Sequence, residues 1–399
     1  MMRQIVIAGG SNAGLSAARE LRRAGFDGRV VLLDADAQSP YRRPEVSKGL
    51  LSGKLDEGRV AIEWPGNLEV ERLMGHRLVR LDLGRRQVEA IRADGGDVQV
   101  PFDGLVIATG ARARPVPFGP RLPGVHTLRS VEDARGLRKD LREARRVVIV
   151  GGGFIGLEVA AVAAELGQDV TVVEKDKVPL GSVLGASFGA YVTALHRSHG
   201  VRIVTGGSVA GLVPGPSGRV AGVRLVGGEP LAADVVLVAI GSLPGVDWLI
   251  DSGLDVTDGV RCDRTCAVAG ADGVVAAGDV AAWWNPLYSR LMRVEHWTNA
   301  VEQGAYAARR LLGLHDPAGF VSAPYFWSDQ YGARLQSIGS SLGHDAALTL
   351  ESDGPKLVVA YARAGRLLSV AGIHASAAVM GHRSQVLSRI SIEDLECAV

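Results

Sequence analysis

Short apolar runs, each broken by a glycine-rich turn, organise the chain. Gln4-Ile-Val-Ile-Ala8 predicts a strand, Gly9-Gly-Ser-Asn-Ala-Gly14 a tight loop, and Leu15 to Ala24, with Ala, Leu and Arg at helical spacing, a helix. A second strand, Arg29 to Leu33, ends in Asp34-Ala-Asp36. The same order returns as a strand Arg146 to Val150, a loop Gly151-Gly-Gly-Phe-Ile-Gly156, a helix Leu157 to Leu166, and a strand Asp169 to Val173 ending in Glu174. Two further apolar strands, Leu105 to Ala111 and Val235 to Ser242, run into glycine and mark where the chain crosses from one domain to another. The pattern predicts an α/β protein.

Composition narrows the class. The chain has 399 residues, enough for two or three domains, and 52 glycines without a repeating period, as many tight turns require. Lys and Arg total 44 against 43 Asp and Glu, so no bulk field draws the molecule to nucleic acid or an anionic membrane. No apolar run approaches the ~20 residues of a membrane span, and the start of the chain lacks a signal-peptide layout. Three cysteines, Cys262, Cys266 and Cys397, are too few for a disulfide framework and point to a reducing cytoplasm. Cys262 and Cys266 fit neither a redox C-x-x-C nor a four-cysteine metal site, and no metal centre is expected.

The two loops carry chemistry. In the second, Gly151 provides the sharp turn, Gly153 room for a phosphate and Gly156 close helix packing, while the helix N-terminus offers free N–H groups and a positive dipole to a pyrophosphate. The first reads Gly9-x-Ser11-x-x-Gly14, with serine at the middle position. Each is followed about 20 residues on by an acid suited to a ribose, Asp34 or Asp36 in the first and Glu174 in the second. Gly9 and Gly151 lie too far apart for one sheet built from adjacent halves, so two nucleotide domains are predicted.

With Ala108-Thr109-Gly110 and Val275-Ala-Ala-Gly-Asp279-Val, this double fingerprint resembles the FAD-dependent pyridine nucleotide-disulfide reductase superfamily. Pro40-Tyr-Arg-Arg43-Pro44-Glu-Val-Ser-Lys48, Leu128-Arg129-Ser-Val-Glu-Asp-Ala134, Val294-Glu295-His296-Trp297-Thr-Asn-Ala300 and Phe326-Trp327-Ser-Asp-Gln-Tyr331 resemble ferredoxin–NAD(+) reductases serving Rieske dioxygenases and cytochromes P450. The resemblance implies a glutathione-reductase-like fold: two Rossmann-like domains and a C-terminal α+β domain. It places FAD on 1–112 and 238–316, NAD on 113–237 and the C-terminal domain on 317–399. Implied FAD contacts are Gly9, Ser11, Gly14, Asp36, Arg43, Lys48, Leu78, Ala108, Thr109, Gly110, Arg129, Asp279 and Trp297, with Asp34 the alternative to Asp36 and Glu295 and His296 beside Trp297. Implied NAD contacts are Gly151, Gly153, Phe154, Ile155, Gly156, Glu174 and Gly241.

The implied reaction passes a hydride from NADH to FAD N5, then single electrons to a [2Fe-2S] ferredoxin that feeds an oxygenase or P450. Lys48, beside N5, would tune the flavin, paired with Glu158 as in the wider superfamily. Glu174 would repel a 2′-phosphate by ~4 kcal/mol at ~4 Å and an effective dielectric near ~20, favouring NADH. No cysteine lies between Ser39 and Leu51, so no thiol relays electrons. An acidic ferredoxin would meet basic side chains, with Arg135, Arg138, Lys139, Arg142, Arg145 and Arg146 expected on one helix and Arg309 and Arg310 as another short cluster. A monomer or weak dimer is expected. A rubredoxin reductase, or an NADH-sensing flavoprotein resembling apoptosis-inducing factor, are the alternative readings.

Overall fold

The computed structural model describes residues 2–38, 40–119 and 122–396. The chain forms two compact units: Met1–Tyr41, Ala61–Arg112 and Leu243–Tyr325 in the first, Arg42–Val60, Ala113–Ser242 and Phe326–Val399 in the second.

In the first unit, Gln4–Ala8 pairs in parallel with Arg29–Asp34 on one side and Gly104–Ile107 on the other. Val274–Ala276 and Glu71–Met74 complete a five-stranded sheet. Ile5, Val6, Ile7 and Ala8 are all fully buried, which explains why this strand shows no alternation of apolar and polar residues. The second unit repeats the plan. Arg146–Val150 pairs in parallel with Asp169–Glu174 and Val235–Val238, flanked by Arg202–Thr205 and Val125–His126.

Each unit adds a three-stranded antiparallel sheet, His76–Asp82 to Asp97–Pro101 in the first and Val209–Pro214 to Leu231–Ala232 in the second. The C-terminal region forms a five-stranded sheet in the order Tyr325–Gln330, Ala333–Gly339, Arg366–Ile373, Lys356–Arg363, Ala346–Asp353, followed by short helices from Ser376. The expected α/β class with a C-terminal α+β part is the observed one.

Both fingerprint helices start three residues earlier than their apolar periodicity suggests, at Asn12 and Phe154. The reason is steric. The third glycine is already helical, and a Cβ at Gly14 would lie 1.9 Å from the Gly9 carbonyl oxygen, or at Gly156 2.1 Å from that of Gly151. Gly9 (φ +109) and Gly151 (φ +107) occupy backbone conformations that favour glycine.

In the second unit the helix Gly181–Ser198, broken at Gly185, packs Leu184, Phe188 and Val192 against Leu335, Val359, Tyr361 and Ile373 of the C-terminal sheet. His196, 0% exposed, sits near its end, and burial pulls its imidazole down from 6.5 to about 4.

Two predictions follow from this packing. Gly153, with nothing within 4 Å of an added Cβ, should accept alanine without loss of stability. Gly156→Ala should lower unfolding free energy by about 2–4 kcal/mol in urea titrations; equal midpoints for the two variants would refute the close-approach argument. Between pH 6.5 and about 4 the unfolded state holds a proton on His196 that the folded state lacks, so stability falls on acidification. The loss attributable to this residue is about 3 kcal/mol. His196→Gln should flatten the stability–pH slope in that window, and an unchanged slope would place the acid lability elsewhere.

Candidate functional site

The first unit contains one dinucleotide cradle and the second another. Ser11 and Gly153 are the N-caps of their helices, with φ/ψ of −79/−159 and −76/−179. This extended backbone is open to any residue, so serine at the middle position costs no strain. Beyond each cap lie the N–H groups of a helix first turn, suited to a phosphate.

The acids resolve in the same way. Asp34 Oδ2 accepts the Gly10 N–H at 2.5 Å and Oδ1 accepts that of Asp36 at 2.8 Å. Glu174 Oε2 accepts the Gly152 N–H at 2.5 Å and Oε1 that of Asp176 at 2.8 Å. Asp34 thus occupies in the first fingerprint the place of Glu174 in the second, while Asp36 turns to the Gln38 N–H at 3.0 Å. The signal was present in the chain: Asp34 and Glu174 are each the last residue of their strand.

Gly10, Ala37, Pro40, Trp64, Arg72 and Met74 line a cavity of about 220 Å³ beside Asp34. The Arg72 guanidinium lies 5.1 Å from the Trp64 ring centre, and the buried Trp64 Nε1 has no hydrogen-bond partner among the described residues. A flat aromatic base with polar edges fits such a space, and the neighbouring carboxylate fits its ribose. These residues therefore suit the adenosine end of a dinucleotide.

Elsewhere in the first unit, the Ala108 N–H bonds to the Ala8 carbonyl at 2.7 Å, Thr109 Oγ1 donates to the Gly245 carbonyl at 2.7 Å, and Gly110 follows with φ +67. The turn bearing Asp279 is held by Gln303, whose Oε1 accepts the Gly278 N–H at 2.9 Å. Arg293 donates to the Asp279 carbonyl at 3.1 Å and pairs with Glu295 at 2.5 Å. His296, whose imidazole desolvation lowers to about 4, precedes the helix Trp297–Leu311, and Trp297 is 38% exposed at its start. Leu78 is half-buried against the core of this unit.

The second unit places a cation on a buried acid. Glu158, on the helix Phe154–Glu165, is 4% exposed, and Lys48 Nζ lies 2.7 Å from its Oε1. Lys48 also donates to the Pro44 carbonyl at 3.2 Å, which uses two of its three ammonium hydrogens. The third has no acceptor among the described residues. Ser47 Oγ donates to Glu158 Oε2, and Ser328 Oγ donates to Oε1 at 2.6 Å. Such compensation is necessary, because a buried carboxylate that loses its partner costs about 3–5 kcal/mol.

Ser47 and Ser328 escaped the sequence reading although both lie within motifs it singled out, since a serine has many structural uses. In the same unit Arg43 donates to the Arg129 carbonyl at 3.2 Å. Phe154 and Phe326 meet at 4.4 Å between ring centres, Ile155 is half-buried, and Gly241 has φ +101 with open space where a Cβ would stand.

Other side chains are excluded from chemistry by their surroundings. Cys262 and Cys266 are buried free thiols, and burial drives both upward, Cys266 to about 12, so neither forms a thiolate nucleophile. Cys397 lies outside the described residues. No group of metal-ligating side chains occurs among the described residues. The basic run is split: the helix is Val131–Leu141, whereas Arg146 opens a strand and pairs with Asp234 at 2.7 Å. Arg142 is the C-cap of that helix and Arg145 lies beyond it, the backbone N–H groups of Arg145 and Arg146 being taken by Asp234.

Comparison with known proteins agrees with this geometry. The pyridine nucleotide-disulphide oxidoreductase family profile matches residues 3–304, and a reductase C-terminal profile matches 325–398. The ferredoxin–NAD(+) reductase component of the anthranilate 1,2-dioxygenase system of Burkholderia cepacia is 36% identical over 92% of this chain and 90% of its own. A rubredoxin–NAD(+) reductase of Pseudomonas putida is 32% identical over 93% and 95%. A chain of the covalent putidaredoxin reductase–putidaredoxin complex superposes with a TM-score of 0.92 at 31% identity, covering 98% of this chain and 95% of that one. With two dinucleotide cradles, a buried Lys–Glu pair and these relatives, the chain belongs to the pyridine nucleotide-disulphide oxidoreductase family, whose ferredoxin–NAD(+) reductases use FAD and NADH.

Proposed function

We propose that the protein is an NADH-dependent ferredoxin reductase that supplies electrons through a [2Fe-2S] ferredoxin to an oxygenase or P450. The observation that carries this reading is a buried cation, Lys48 on Glu158, in a chain with two dinucleotide acids and with both described thiols sealed. FAD, when bound, accepts a hydride from NADH and releases single electrons. On this reading residues 1–112 and 238–316 form the FAD domain, 113–237 the NAD domain and 317–399 the C-terminal domain.

The chain's own tasks are binding, orientation and charge. In the first unit, Gly9, Ser11 and Gly14 would receive the FAD pyrophosphate and Asp34 its ribose, with Ala108, Thr109, Gly110 and Asp279 shaping the path of the cofactor. In the second unit, Arg43 and Arg129 would offer positive charge and Lys48 its spare N–H. Gly151, Gly153 and Gly156 would receive NADH, and Glu174 its adenosine ribose. Lys175 and Lys177 are exposed beside Glu174, and their positive charge would offset part of its rejection of a 2′-phosphate. No helix among the described residues is long and apolar enough to cross a membrane, and the low cysteine count supports a cytoplasmic setting. The resemblance to a rubredoxin–NAD(+) reductase favours rubredoxin as the second acceptor to test.

Titration of the FAD-loaded protein with purified ferredoxins and rubredoxins, read as NADH-driven cytochrome c reduction, decides between acceptors; no response to any ferredoxin would overturn the first reading. Lys48→Ala should retain FAD yet slow flavin reduction by NADH by about tenfold or more in stopped flow. An unchanged rate removes Lys48 from the reaction. Glu174→Ala should narrow the kcat/KM ratio of NADH to NADPH, and a constant ratio would show that specificity resides elsewhere.

A further inference from the structure

Glu158 is the end of a longer buried chain of hydrogen bonds, all within the second unit. Ser328 Oγ donates to Glu158 Oε1 at 2.6 Å, Gln330 Nε2 donates to Ser328 Oγ at 3.0 Å, His196 Nε2 meets Gln330 Oε1 at 2.8 Å, and Tyr331 OH meets His196 Nδ1 at 3.1 Å. Ser328, Gln330 and His196 are each buried to within 1%. Ser328 and Gln330 share one face of the strand Tyr325–Gln330, two residues apart, whereas Glu158 and His196 come from separate helices.

The direction of every bond is forced. A carboxylate ion only accepts, so the Ser328 hydroxyl hydrogen points to Glu158 and its oxygen is left to accept from Gln330. That fixes the Gln330 amide with nitrogen toward Ser328 and oxygen toward His196. The imidazole must then carry its hydrogen on Nε2, which leaves Nδ1 bare to accept from Tyr331. Four hydrogens therefore point one way, and chains so aligned polarise one another in a low-dielectric interior.

We propose that Tyr331, His196, Gln330 and Ser328 form a one-way relay that positions the Glu158 carboxylate and, through it, the Lys48 ammonium. The inference rests on the assignment of Lys48 and Glu158 to flavin reduction, but the relay itself is a property of the polypeptide. Ser328 is its terminal positioning residue, and His196 acts as a neutral spacer whose tautomer is dictated from a distance.

The test uses the full-length protein labelled with [15N]histidine, with and without added FAD. In the wild type the His196 nitrogens should report the Nε2–H form. Ser328→Ala frees the Gln330 amide to turn over, so the His196 signals should move toward a mixture of tautomers, two links away from the substitution. Ser328→Thr, which keeps the hydroxyl, should restore the wild-type signals. In stopped flow with NADH, Ser328→Ala and Gln330→Met should each slow flavin reduction by about three- to tenfold, with Ser328→Thr within about twofold of the wild type. His196 signals that ignore Ser328→Ala in a folded protein would overturn the relay. An altered tautomer with an unchanged reduction rate would overturn its link to Lys48. If Lys48→Ala itself reduces normally while the tautomer still responds, the functional assignment of Lys48 fails and the relay stands as a structural device.

Discussion

A carboxylate withdrawn from water must find its hydrogen bonds in the protein, and Glu158 finds them in two other stretches of chain. Lys48 and Ser47 come from the segment 42–60, Glu158 from the fingerprint helix, and Ser328 from the strand after Tyr325. The segment 42–60 thereby groups with residues distant in sequence. Its short turns also present the Arg43 side chain to Arg129. Remove the buried charge and a polar reason for these stretches to meet disappears; apolar packing around Leu157 and Phe326 would remain, without a register for the polar groups.

The duplicated cradle shows how few residues a dinucleotide site needs to specify locally. In each copy a strand ends in an acid, and that acid spans the backbone N–H of the loop and of its own second neighbour. The third glycine lets the helix approach the turn, and the middle position only caps the helix. A serine there and a glycine there adopt the same backbone. The two copies differ in what surrounds them, not in the device.

Most of this local geometry was legible in the amino-acid order because its partners are close along the chain. Strand, loop, helix and acid lie within one continuous stretch, and their spacing carried the α/β class and the glycine roles. Both helix starts come earlier than expected because the last glycine of each loop, Gly14 and Gly156, and the two residues before it read as loop although their backbone is helical. Which of Asp34 and Asp36 takes the Gly10 N–H depends on which acid ends the strand, a boundary that hydrophobicity alone does not sharpen. Ser47, Ser328, Gln330 and His196 were illegible for a different reason: each gains its meaning from a residue far away in sequence, and hydroxyl, amide and imidazole groups are common in unrelated roles. The basic run from Arg135 to Arg146 read as one helix until Asp234 claimed Arg146 for a strand.

The sealed thiols of Cys262 and Cys266 bear on the life of the molecule in air. Reduced flavoproteins that meet oxygen leak peroxide, and the first casualties in many proteins are exposed thiolates. Here the two described sulfurs stay protonated and enclosed, one of them receiving an N–H from Gln303 at 3.6 Å. The fold thus withholds both described thiols from the by-product of an aerobic electron supply, so that among the described sulfurs oxidative wear falls on methionines such as the 40% exposed Met380.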